Sequence, residues 1–114
     1  MALLNGLIWR RKGPSPRELA ALVKTLADRC EPAVWQRIEG RTQAMSPAAA
    51  RGYIRARAAA IVNEQVDLAL ADRVSWPAEV REQILTETAQ QTVRSVHHRL
   101  LNARHPAAQR RLAA

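Results

Sequence analysis

Residues 46–76 read SPAAARGYIRARAAAIVNEQVDLALADRVSW, and this stretch decides the fold. Ser46 can cap a helix through its hydroxyl, and Pro47 fits the first helical position, where its missing N–H is no loss. Alanines at 48–50, 56 and 58–60 give the run strong helix propensity, with Gly52 its one weak position. Ile54, Ala58, Ile61, Val62 and Leu68 share a face at 100° per residue, which predicts an amphipathic helix from Pro47 to about Arg73. Val74-Ser75 leaves room only for a short connection. Trp76-Pro77 then opens a further long helix to about Arg104, and Pro106 ends it. Two long helices with so short a link pack as an antiparallel hairpin.

Upstream, Ser15-Pro16-Arg17-Glu18 has the form of a capping box, in which Ser15 accepts from the N3 amide and Glu18 reaches back. Leu19, Leu22, Val23, Leu26 and Cys30 follow at helical spacing, predicting a helix over 16–29. Glu31-Pro32 reads as a restart, because proline disfavours a helical residue before it. Val34, Trp35, Ile38, Thr42 and Met45 form the next stripe, interrupted by Gly40. Period-2 alternation is missing, so no strands are expected. The fold class is all-α: a four-helix cluster with two short helices packed on a long antiparallel helical hairpin.

The last helix carries an irregularity. Its row Val80, Ile84, Thr88, Thr92, Val96, Leu100 advances in steps of four, so it drifts about 40° around the axis per step. One straight partner cannot cover such a row. Its two halves need two neighbours within the chain, or a second subunit. On the latter reading Val80, Ile84, Val96 and Leu100 supply the apolar interface of a homodimer or a protein–protein adaptor.

The 114 residues suffice for one domain, assigned to 15–105 with an N-terminal apolar and basic arm over 1–14 and a flexible basic tail over 106–114. Leu, Ile and Val total 25, so a core forms only if they are well patterned. The formal net charge is +8, and its distribution says more than its sum. Residues 46–63 hold Arg51, Arg55 and Arg57 and no acid, while 88–114 hold five arginines and no acid. Residues 64–87 hold six carboxylates against two arginines. Folding the hairpin brings the acid-free segments together at one end and gathers the carboxylates near the turn. Arg51 and Arg55 in the first turns of a helix oppose its dipole, a placement a chain tolerates when the charge is used. The plain alternative is that arginine and alanine reflect base composition of the coding sequence, with Arg55 and Arg57 lying beside the apolar stripe.

Several chemistries lack their residues. Glu-x-x-His, as needed for carboxylate-bridged dimetal sites, does not occur, so Glu64-x-x-Asp67 and Glu79-x-x-Glu82 read as solvated acidic faces. His97 and His98 point about 100° apart on a helix and cannot share a metal. Cys30 falls on an apolar stripe and reads as a small buried hydrophobe. There is no Cys-x-x-Cys, dinucleotide fingerprint, phosphate loop or nucleophile elbow. Ser46-Pro47 with Arg51, Tyr53, Arg55 and Arg57 suggests a recognition helix, but the turn spacing of a helix-turn-helix is absent. The N-terminal apolar run precedes its positive charges, the reverse of a secretory signal, so a cytoplasmic location is expected. Residues 1–12 are expected either to dock Leu4, Leu7, Ile8 and Trp9 onto the helices or to be disordered, with membrane contact the lesser alternative.

These observations point to a small non-enzymatic binding protein with no cofactor and no metal. Its expected partner is nucleic acid or another acidic macromolecule, engaged through Arg51, Arg55, Arg57, Arg94, Arg99 and Arg104. A homodimer or helical adaptor is the alternative.

Overall fold

The computed structural model describes residues 13–104; the expectations for the arm over 1–12 and the tail over 106–114 lie outside the described residues. The described residues form three helices: α1 over Pro16–Ile38, α2 over Pro47–Leu70 and α3 over Ala78–Arg104. All three pairs of helices pack against one another. The chain runs up, down and up. Gly13, just before α1, lies against Val80 and Pro77 at the start of α3. At the other end Arg104 of α3 donates to the Thr42 carbonyl just beyond α1. Helix α2 runs antiparallel between them, with Asp67 near its end paired to Arg81 near the start of α3.

The Ser-Pro starts form as the residues dictate. Ser15 Oγ accepts from the Glu18 amide at 3.1 Å, and Ser46 Oγ accepts from the Ala49 amide at 3.2 Å. Glu18 itself keeps its carboxylate in solvent.

The four-helix cluster is corrected to a three-helix bundle, because α1 passes through Glu31-Pro32 without a break. Pro32 removes one intrahelical bond and costs about 3 kcal/mol relative to alanine. Against that, Leu26, Cys30, Val34 and Ile38 form one row in steps of four, and every member is buried. Burying Val34 and Ile38 is worth about 1.5–3 kcal/mol each, and a break at Pro32 would turn both off the face that Leu26 and Cys30 occupy. Asp28 and Pro32 both lie on the solvent side, where water can serve the Asp28 carbonyl. Packing outweighs the local rule.

Gly40 does not interrupt a helix; it follows the end of one. Glu39 still donates to the Trp35 carbonyl at 2.9 Å, and Gly40 then turns the chain at φ +76°. Gly52, by contrast, sits inside α2 with open space where a side chain would go. The two glycines predict opposite signs. Gly40→Ala is expected to destabilise by about 1–2 kcal/mol, the cost of a left-handed conformation. Gly52→Ala is expected to stabilise by about 0.5–1 kcal/mol, and urea unfolding of both variants checks the pair.

The core is built from three such rows. Helix α2 contributes Ala50, Ile54, Ala58, Val62 and Val66, and α3 contributes Ile84, Thr88, Thr92, Val96 and Leu100. Leu68, expected on the buried face of α2, is 64% exposed, and the row passes through Val66 instead. The drift of the α3 row is absorbed within one chain, because α1 and α2 flank α3 as two neighbours. That corrects the interface expectation: Ile84, Val96 and Leu100 are buried in the monomer, and Val80 is half-buried beside Gly13. They are not an open docking face.

Cys30 is buried in this core, and desolvation pushes its thiol above the ordinary value, with the nearby Thr92 hydroxyl pulling weakly the other way. Among the described residues the Thr88 hydroxyl is enclosed without a partner at hydrogen-bond distance. Among the described residues no helix is long and apolar enough to cross a membrane.

Candidate functional site

Helix α1 ends, α2 begins and α3 ends at the same end of the bundle, around the 39–46 connection. Taking residues 27–58 and 90–104 as that half, it carries nine arginines against three carboxylates. The opposite half, residues 13–26 and 59–89, carries four cations against seven carboxylates. Of the arginines in the acidic half, Arg73 and Arg81 are paired, and Arg17 has no carboxylate in ion-pair reach among the described residues. Arg81 bridges α3 to Asp67 of α2, and Arg73 lies 3.6 Å from Asp72 with its guanidinium over the Trp76 ring at 5.3 Å.

The six arginines expected from the sequence all lie in the basic half, but they divide among the grooves. Arg51 and Arg55, one turn apart on α2, are exposed and line the α2–α3 groove with Thr86, Ala89, Gln90 and Val93. Arg57 is exposed on the α1–α2 side, its guanidinium 5.0 Å from the centre of the Tyr53 ring, beside Arg37 and Arg41. Arg94 is exposed in the α1–α3 groove. Among the described residues, none of Arg51, Arg55, Arg57 and Arg94 has a carboxylate in ion-pair reach.

The remaining two are partly committed to the fold. Arg99 stacks over the Trp35 ring at 4.2 Å and lies 4.0 Å from Glu31, a long ion pair bridging α3 to α1. Arg104 is half-buried, and its bond to the Thr42 carbonyl ties the end of α3 to the loop after α1. Its role is structural first.

Sequence reading misses Arg37 and Arg41. Taken as one block, residues 18–45 have balanced charge, and a break at Pro32 hides which end of the bundle their cations reach. An unbroken α1 puts both at the basic end, because its C-terminus is there. The signal that could have found them is the i+4 row running through Cys30, Val34 and Ile38.

A further groove lies at the same end, between the last turn of α1 and the last turns of α3. Its volume is about 520 Å³, and Trp35, Glu39, Gly40, Thr42, Gln43, Leu100, Ala103 and Arg104 line it. Among the described residues no three His, Cys, Asp or Glu side chains gather as metal ligands would. The arrangement can attract anions over a broad surface, and beside Trp35 it offers an aromatic-walled groove.

No known family pattern, curated protein or solved structure matches this chain.

Proposed function

We propose that the chain is a non-enzymatic binding protein whose basic end engages nucleic acid. What supports this reading is the separation of charge along the bundle, with nine arginines at one end and four of the six expected ones free of carboxylates among the described residues. A folded protein gains nothing in stability from such crowding; like charges repel across α2 and α3, and Arg51 and Arg55 stand near a helix N-terminus. The placement suits a dense polyanion. Arginines along several grooves, rather than one pocket, match a partner whose phosphates repeat along its length.

The test is a titration of labelled duplex DNA with the full chain across increasing salt. Binding at about 50 mM salt is expected, with log affinity falling linearly against log salt by roughly 0.9 for every phosphate engaged. Absence of binding to DNA and RNA at that salt overturns the proposal.

A further inference from the structure

We infer that the groove beside Trp35 receives an unpaired nucleobase, so that the basic end prefers single-stranded over duplex nucleic acid; this rests on the polyanion reading above. Trp35 is half-buried, and the guanidinium of Arg99 covers its ring at 4.2 Å. The ring also borders the 520 Å³ groove, where Leu100 and Ala103 supply further apolar wall. Glu39 and Gln43 line the same groove with hydrogen-bonding groups. That volume lies in the range of ordinary ligand pockets, and the mix of an aromatic wall with a few polar groups is what such pockets use.

The chemistry selects a base over other guests. A nucleobase has a π-face for Trp35 and Leu100, and an edge whose imino or amino N–H can donate to the Glu39 carboxylate. The Gln43 amide can both donate and accept along that edge. A simple anion is disfavoured inside the groove, because Glu39 stands there. The phosphates that flank the base meet one cation at this groove and others in the groove beside it. Arg104 forms one wall, while Arg41, next to Gly40 in the chain, lines the adjoining α1–α2 groove with Arg37 and Arg57, where the strand continues. A duplex cannot use this site, because its bases are stacked and paired; a single strand can turn one base in without that cost.

The experiment compares the full chain with its Trp35→Leu and Ala103→Phe variants on a short oligothymidylate and on duplex DNA at equal salt. Trp35→Leu removes the stacking wall. Ala103→Phe fills the groove from an exposed position on α3 and leaves Trp35 in place, so it decides the matter if Trp35→Leu fails to fold. Both variants are expected to lose roughly 5- to 150-fold in affinity for the single strand, with duplex affinity unchanged. Unchanged single-strand affinity in Ala103→Phe, or equal losses on both nucleic acids, overturns the inference. Retained salt-dependent duplex binding in that case leaves the polyanion reading standing. A wild-type chain that binds neither nucleic acid overturns both.

Discussion

Replacing Arg51, Arg55 and Arg94 together by alanine is expected to flatten the log–log salt dependence of duplex binding by roughly 2.7, at about 0.9 for every phosphate no longer neutralised. Affinity at low salt should fall on the order of tenfold or more. These three side chains suit the test because each is exposed and none leans on a carboxylate. Alanine is also the best helix former, and removing Arg51 relieves a cation near the start of α2, so stability should hold or rise slightly. The matched control is Arg17→Ala with Lys24→Ala. Both lie in the other half of the bundle, and Lys24 already pairs with Asp28 at 2.9 Å. If the control flattens the salt dependence as much per charge removed, only net charge matters, and the basic end has no special role.

Pro32→Ala should stabilise the fold by up to about 3 kcal/mol. The proline sits seventeen residues into a 23-residue helix and denies α1 one backbone bond. Alanine restores the donor to the Asp28 carbonyl and removes the ring that crowds it. The sign is informative. Were the chain broken at Glu31-Pro32, with the proline opening a new helix, alanine would leave stability unchanged or lower it by about 0.4–1 kcal/mol by loosening the unfolded chain. Thermal unfolding reads the difference, at roughly 4–8 °C per kcal/mol for a domain of this size.

Pro32 also marks where sequence reading stops. The rule that a proline disfavours a helical residue before it is local, and it predicts correctly where nothing opposes it. Here Val34 and Ile38 oppose it, since only an unbroken helix keeps them on the face of Leu26 and Cys30. The starts of α1 and α2 are legible because Ser15-Pro16 and Ser46-Pro47 act within a few bonds, and no packing is needed to set them. The drift of the α3 row is legible too, but its meaning is not. A step of four residues says that two neighbours are needed, and only the packed chain shows α1 and α2 supplying both. Leu68 reads as buried because it stands among apolar residues; Val66 takes that position by being four residues from Val62.

The candidate site divides in the same way. That Arg51, Arg55 and Arg57 share an end with Arg94 and Arg99 follows from a hairpin and a linear charge pattern. Which groove each faces does not follow, because that depends on rotation of the helices about their own axes. The Trp35 groove is beyond reach for a related reason. With α1 divided at Pro32, Trp35 belongs to a short separate helix and reads as core, while Arg99 lies 64 positions away in the chain.

On the proposed function, nucleic acid meets the end of the bundle around the 39–46 connection. Mapping backbone amide shifts on the full chain, as an oligonucleotide is added at low salt, tests this most directly. Residues 37–43, 51–57 and 90–99 are predicted to move together, while residues 64–82 stay still. Shifts at 64–82, or shifts confined to residues outside 13–104, would overturn the assignment of the basic end as the nucleic-acid surface.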